Sequence, residues 1–188
     1  MTYLLDVNVL IALIDPGHVA HDDAHAWFSK DGHTSWATCP ITENGVVRII
    51  GNPKYPNSPG SPAVVAGIVE QLRALPGHSF WAEDFSLVGS EAVDASRIMT
   101  SAQVTDTYLL ALAKVRGGKL ATFDRRLSVD AVVADLAAPL TAIRQPTAAM
   151  ISTACQRLIA MAGGGDGNGS FELPYDLIVR ESTAGPPA

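Results

Sequence analysis

The stretch YLLDVNVLIAL, residues 3–13, decides the fold of this chain, because it is an almost unbroken apolar run that contains the polar residues Asp6 and Asn8. A run this rich in Leu, Val and Ile predicts a strand that is buried on both faces, as in parallel α/β sheets. An unpaired carboxylate inside such a strand would cost several kcal/mol. We therefore expect Asp6 at an end of the strand, facing a cation or a hydrogen-bond network. The alternative is a capping Asp that begins the following turn or helix.

Length and composition indicate one globular domain. The chain has 188 residues, of which 47% are hydrophobic and 17% are charged. No apolar stretch is as long as a membrane span, and no basic segment precedes an apolar one at the N-terminus, so we expect no membrane segment and a cytoplasmic protein. The net charge of −6 argues against nonspecific affinity for nucleic acid. A local basic rim or bound divalent cations would still attract phosphate.

The cysteines and the histidine cluster do not predict a metal site. Cys39 and Cys155 are far apart and lack metal-ligand spacing, so we interpret both as buried or partly buried thiols. His18, His21 and His25 could share one helix face. They have no cysteine or acidic partner at ligand spacing, which favours ordinary loop and helix positions.

Two acidic residues are predicted in the first turns of helices. The strand-like residues 34–39 stop at Pro40, and a helix that begins at Pro40 or Thr42 places Glu43 in its first turn. A second helix is predicted from residue 104, with Thr105 as its N-cap and Asp106 in its first turn. A pair of glycines at 117–118 ends this helix.

The next predicted strand carries Thr122 and Asp124 at its carboxyl end, within residues 119–127. A helix followed by a strand across a short glycine turn is half of a parallel unit, which indicates the α/β class. Ligands of open parallel sheets bind beyond the carboxyl ends of the strands. Residues 140–143 are predicted to form the last edge strand. Other predicted elements are helices at 21–28, 63–75 and 93–99, strands at 78–81 and 85–88, and a Pro- and Gly-rich loop at 51–62.

Four carboxylates at element ends predict a common acidic cleft. Such groups raise each other's pKa unless a cation neutralises them. Mg²⁺ suits oxygen ligands, and Mn²⁺ is the alternative. No local signature indicates a serine or cysteine nucleophile, so metal-assisted hydrolysis of a phosphodiester is the favoured chemistry. The four candidate residues are Asp6, Glu43, Asp106 and Asp124.

Four motifs in order carry a resemblance to a known family. LLDVNVL surrounds Asp6, ITENGVVR contains Glu43, VTDTYLLA contains Asp106, and ATFDRRL contains Asp124. Over about residues 1–145 this set resembles the PIN-domain nucleases, specifically the VapC-type toxins of bacterial toxin–antitoxin pairs. The four motifs together are specific, whereas one alone would be weak.

The resemblance implies a three-layer α/β/α sandwich with a central, mainly parallel sheet. It also implies a divalent-metal-dependent endoribonuclease that acts on structured RNA, frequently forms a homodimer and is inhibited by a cognate antitoxin. The four carboxylates would bind the metal directly or through water. Asn8 and Thr122 would orient them by hydrogen bonds.

Residues beyond 145 depart from the family pattern. Residues 146–162 predict an additional amphipathic helix, 163–170 a Gly-rich linker, and 171–188 a tail with an apolar segment. The tail could cover exposed surface of the nuclease domain, act as an antitoxin-like segment whose Arg180 reaches the acidic cleft, or be an interaction tail.

Two other functions compete with that of a toxin. One is a related nuclease in RNA processing or on DNA, and the other is a catalytically silent binding module.

Overall fold

The computed structural model describes residues 1–132 and the backbone of residues 140–144 and 176–180. The helices are Val7–Ile14 (α1), His21–Lys30 (α2), Pro40–Ile50 (α3), Pro62–Arg73 (α4) and Gln103–Val115 (α5). The strands are Tyr3–Leu5 (β1), Trp36–Thr38 (β2), His78–Phe80 (β3), Lys119–Thr122 (β4), Leu140–Arg144 (β5) and Asp176–Arg180 (β6). No helix in the described part of the chain is long and apolar enough to cross a membrane.

The sheet has six strands in the order β3-β2-β1-β4-β5-β6. β1 to β5 run parallel to one another, so their carboxyl ends meet at one edge of the sheet, and the predicted mainly parallel sheet is confirmed. The prediction that β5 is the last edge strand is wrong, because β6 pairs with it in the antiparallel direction. In this pairing Arg180 lies opposite Leu140, at the end of β5 away from the carboxyl edge.

Helices pack on both faces of the sheet, which gives the three-layer sandwich. Leu5 of β1 belongs to a core cluster with side chains of the first four helices. Its neighbour Leu4 packs on the opposite face, with Leu109 and Leu112 of α5. Successive side chains of a strand point to opposite faces. The short, wholly apolar strand β1 therefore contributes to both cores.

The opening apolar run divides into a strand and a helix. The prediction of a single strand through this run is wrong beyond Leu5, because α1 begins at Val7. Asp6 has extended backbone (φ −65°, ψ 157°), and its side chain accepts a hydrogen bond from the Val7 backbone N–H as the N-cap of α1. Asp6 therefore ends the strand and also caps the helix, so both sequence interpretations apply.

Several predicted element ends differ from the structure. α5 begins two residues before the predicted N-cap Thr105, which lies inside the helix, although the predicted end is confirmed by Gly117 with φ +66°. Residues 85–88 form no strand, and only a 3₁₀ turn at Ala95–Arg97 occurs within the predicted helix 93–99. β4 ends at Thr122, so Asp124 follows the strand. The predicted helix at 146–162 and the linker at 163–170 lie outside the described residues.

Candidate active site

Asp6 lies at the carboxyl end of β1 and is buried, with 8% of its surface exposed. Its Oδ1 accepts a hydrogen bond of 2.6 Å from the Val7 backbone N–H. Its Oδ2 accepts two more, 2.8 Å from Asn8 Nδ2 and 2.6 Å from Thr122 Oγ1. Burial raises the pKa of Asp6, and the charge of Asp124 adds to this, whereas the three hydrogen bonds oppose it.

Asn8 and Thr122 join the ends of two neighbouring strands. Asn8 Nδ2 also donates to Thr122 Oγ1 at 2.9 Å, and Asn8 Oδ1 accepts from the backbone N–H of Phe123 at 3.1 Å. Thr122 is fully buried. Asn8 therefore links the start of α1 to the residues that follow β4.

Asp124 is held two residues beyond the end of β4. Its backbone N–H donates to Thr122 Oγ1 at 3.0 Å, and its Oδ1 accepts from the backbone N–H of Arg126 at 2.7 Å. The same threonine hydroxyl thus contacts Asp6 and the Asp124 backbone. These bonds fix Asp124 close enough to Asp6 for its charge to act on that carboxylate.

Asp106 completes a group of three aspartates. It is half-buried in the first turn of α5. Burial raises the pKa of Asp106, and the charges of Asp6 and Asp124 raise it further. The Asp106 side chain makes no hydrogen bond or ion pair within residues 1–132. The site therefore contains one carboxylate whose charge nothing in this region offsets.

Glu43 belongs to a separate network at the end of β2. Its Oε1 accepts a hydrogen bond of 2.6 Å from Thr38 Oγ1, and its Oε2 pairs with Arg73 Nη1 at 3.3 Å. Thr38 Oγ1 also lies 2.8 Å from His78 Nε2. Because the threonine proton points to Glu43, His78 must donate from Nε2. Burial lowers the pKa of His78, and the charge of Arg73 adds to this against the opposing charge of Glu43, which favours the neutral ring.

The donor set fits a hard divalent cation. It consists of carboxylate oxygens: the charge of Asp124 raises the pKa of Asp6, and the charges of both raise the pKa of Asp106. Within residues 1–132 no basic side chain pairs with Asp106. Within the described ranges, no three His, Cys, Asp or Glu side chains form a group that could by itself hold a metal ion. Mg²⁺ does not require such a cage, because it is usually held by one or two carboxylates and keeps several waters.

The histidines near α1 have structural partners. His21 Nδ1 lies 2.8 Å from the carbonyl oxygen of Ala12, and His25 Nε2 lies 3.0 Å from that of Leu13. His18 Nδ1 accepts a hydrogen bond from the backbone N–H of Ala20. His21 and His25 thus satisfy carbonyls near the carboxyl end of α1. The predicted buried thiol is confirmed for Cys39, whereas Cys155 lies outside the described residues.

Sequence reasoning missed the partners of Glu43. Thr38 ends β2 as Thr122 ends β4. A threonine at the end of a buried strand, with an acidic residue a few positions later, was therefore the sequence pattern that could have indicated the contact. Arg73 and His78 gave no signal, because a basic residue in a last helical turn and a histidine in a short strand are ordinary.

Comparisons with known proteins identify the family of this chain. The PIN domain family model matches residues 3–132. Ribonuclease VapC44 of Mycobacterium tuberculosis H37Rv is 44% identical over 132 residues, which cover 70% of this chain and 92% of that protein. Ribonuclease VapC39 of the same strain is 44% identical over 128 residues, which cover 68% of this chain and 92% of that protein.

A solved structure shows a weaker likeness. It is the crystal structure of VapBC2 from Rickettsia felis bound to a DNA fragment from their promoter, with a TM-score of 0.41 and 10% sequence identity. The match covers 67% of this chain and 90% of that chain. The family relationship rests on the family model and on the sequence relatives.

Proposed function

Because the chain belongs to the PIN-domain family, we propose that it is an endoribonuclease of the VapC type that depends on a divalent metal and acts as the toxin of a toxin–antitoxin pair. The observation that carries the proposal is the group of three aspartates, Asp6, Asp106 and Asp124, at the carboxyl edge of the sheet. Ligands of parallel α/β sheets bind at this edge.

We propose that Asp6, Asp106 and Asp124 hold Mg²⁺, or Mn²⁺ in its place, with Glu43 at the side of the cleft. When bound, the cation offsets the negative charge that develops on the phosphate and makes water a better nucleophile. Oxygen ligands and a partly hydrated ion favour Mg²⁺ over softer metals.

The chain's own residues prepare the carboxylates for this task. Hydrogen bonds from Val7, Asn8 and Thr122 favour the charged form of Asp6 against the effect of burial. They also fix the carboxylate plane, because both of its oxygens are engaged. Orientation of this kind lowers the cost of binding a cation and places the phosphate in a defined position.

The test compares the full chain with the variants Asp106→Asn and Asp6→Asn on RNA, with Mg²⁺ and with a chelator. Asp106→Asn is the cleaner change, because the Asp106 side chain has no hydrogen bond to lose within residues 1–132. Asp22→Asn, at an exposed position of α2, is the matched control. We expect cleavage by the full chain and by the control only. RNA cleavage that persists in the chelator and in Asp106→Asn would overturn the metal proposal.

Substrate and partners need a separate measurement. We propose that the chain cuts RNA in the cytoplasm, forms a homodimer and is inhibited by a cognate antitoxin. The names of the ribonuclease relatives support RNA as the substrate. Sequencing of RNA ends after brief expression identifies the RNA that is cut. Preferential cleavage of DNA by the purified chain would instead support a DNA nuclease.

We propose that residues 1–145 form the nuclease domain and that the tail 171–188 covers the edge of its sheet. The pairing of β6 with β5 supports this, because β6 occupies the edge that β5 would otherwise expose. Arg180 lies at the end of β5 away from the carboxyl edge, which weighs against the inhibitory interpretation. Deletion of residues 171–188 should lower stability and leave the specific activity of the folded fraction unchanged. A rise in RNA cleavage would favour inhibition.

A further inference from the structure

We propose that Phe80 and Arg73 form a subsite for an unpaired nucleobase and its phosphate, next to the carboxylates that perform the chemistry. The inference rests on the proposed endoribonuclease function and names the class of substrate, single-stranded RNA. It is carried by an exposed aromatic ring, by a guanidinium group that lies over that ring, and by the place of both in the sheet.

Phe80 is an unusually exposed aromatic side chain. It is 45% exposed, and it is the only exposed Phe, Tyr or Trp within residues 1–132. The other exposed large apolar side chains of this region are aliphatic or Met. Phe80 ends β3, the outermost strand on its side of the sheet. A ligand can therefore approach this ring from beyond the sheet.

Arg73 places a positive charge at the same point. Its guanidinium carbon lies 4.9 Å from the centroid of the Phe80 ring, and its Nη1 lies 3.3 Å from Glu43 Oε2. The Arg73 side chain is 41% exposed, so the ion pair with Glu43 is partly open to water. Partly exposed ion pairs contribute little stability, so phosphate can compete with Glu43 for this guanidinium.

The sheet brings the pair beside the candidate active site. Phe80 lies opposite Thr38 in the pairing of β3 with β2, and Thr38 donates its hydroxyl hydrogen to Glu43. β2 is in turn the neighbour of β1, which ends at Asp6. Phe80 and Arg73 therefore flank the carboxyl edge of the sheet on the β3 side of the aspartates.

This combination matches the chemistry of single-stranded RNA. Unpaired bases stack on aromatic rings and on guanidinium planes, whereas bases in a duplex have their faces covered. A guanidinium group also recognises phosphate. The net charge of −6 supplies no general attraction for RNA, so binding at this edge depends on local groups such as Arg73.

The test measures RNA binding by the full chain in the Asp106→Asn background, where we expect no cleavage. The probes are a short fluorescein-labelled oligouridylate and an abasic oligoribonucleotide of the same length, followed by fluorescence anisotropy. The variants are Phe80→Ala, Phe80→Tyr and Arg73→Gln. The matched controls are Val88→Ala, at a position 82% exposed, and Arg97→Gln, which removes another exposed arginine. Thermal melts check that each variant is folded.

We expect Phe80→Ala to weaken binding of the oligouridylate by about 5- to 150-fold, the range for loss of one stacked base. Phe80→Tyr and both controls should bind as the parent does, and the abasic probe should not distinguish Phe80→Ala from the parent. Arg73→Gln should weaken binding of both probes and reduce the slope of log affinity against log salt by roughly 0.7.

Two outcomes would overturn the subsite. One is unchanged binding of the oligouridylate by Phe80→Ala, and the other is equal weakening of both probes by that variant. Cleavage by the chain with all its carboxylates intact is measured in parallel. If the variants show the expected differences in binding but the chain cuts no RNA, the subsite is supported and the nuclease function is refuted. If the chain cuts RNA while Phe80→Ala binds normally, the nuclease function is supported and the subsite is refuted.

Discussion

Replacement of Thr122 by valine should both destabilise the protein and weaken the candidate metal site. Valine has nearly the shape of threonine, so the change removes a hydroxyl group without leaving a large cavity. Thr122 is fully buried, and its hydroxyl donates to Asp6 Oδ2 at 2.6 Å. It also accepts from Asn8 Nδ2 at 2.9 Å and from the Asp124 backbone N–H at 3.0 Å.

The size of the effect follows from these three bonds. A hydrogen bond to a charged group contributes about 1.5–3 kcal/mol to the free energy of unfolding. The two donors lose less, because Asn8 keeps Asp6 as an acceptor and Asp124 is only half-buried. We expect the free energy of unfolding to fall by about 2–4 kcal/mol in total. The smaller part of this loss comes from the two donors that no longer have the threonine oxygen as an acceptor. For a chain of this size the midpoint of thermal unfolding should fall by roughly 4–16 °C.

Thr122→Ser is the matched control, because it keeps the hydroxyl and removes one buried methyl group at a cost of about 1 kcal/mol. Urea unfolding in a chelating buffer gives the stability of each variant. Titration calorimetry with Mn²⁺ gives the metal affinity, which should fall by roughly 10–100-fold in Thr122→Val, as for other residues that orient ligands. Equal stability and equal Mn²⁺ affinity in the valine and serine variants would refute the reasoning.

Three further changes test the electrostatics and the packing. Asp106→Asn should raise the melting temperature at pH 7 in metal-free buffer, because burial and neighbouring charges raise the pKa of Asp106 and make its ionised form unfavourable, and a lower melting temperature would contradict this. Tyr55→Phe should cost about 1.5–3 kcal/mol in urea unfolding, because the Tyr55 hydroxyl donates to buried Asp15 at 2.6 Å. Burial, and then the hydrogen bond and charge of Asp15, raise the pKa of Tyr55 to about 12. The stabilisation from the neutral phenol should therefore disappear as the pH rises from about 10 to about 12, with no such change in the variant. Gly77→Ala should destabilise more than Gly89→Ala: both have positive φ, but a Cβ at Gly77 would lie 2.3 Å from the carbonyl oxygen of His33, whereas the Gly89 position is open.

The candidate site residues could be identified from the sequence. Asp6 stood out because a carboxylate in an apolar run is costly unless it has partners, and Asp106 and Asp124 were placed at element ends that a parallel sheet brings to one edge. Helix α3 was predictable from Pro40, which is compatible with the first turn of a helix but not with its interior.

Element boundaries were harder to predict. Apolar periodicity does not distinguish a short buried strand from a buried helix, so the division of the run 3–13 was not visible. The N-cap of α5 was misplaced because Thr105 has the residue type of a cap, whereas the helix begins after Ala102. The pairing of β6 with β5 depends on contacts across more than thirty residues, which local patterns do not encode.

The sequence by itself determined which carboxylates lie at the ends of strands and helices, where a parallel sheet can bring them to one edge. Only the tertiary structure decided how they are held. Thr122 reaches Asp6 across 116 positions of the chain, and Arg73 reaches Glu43 across 30. Hydrogen bonds and ion pairs act over a few ångströms in space, so their partners are fixed by strand order and register and not by distance along the chain. For this reason the grouping of the aspartates was predictable from the sequence. The hydrogen-bond and ion-pair network that holds Glu43 apart from them, with Arg73, was not.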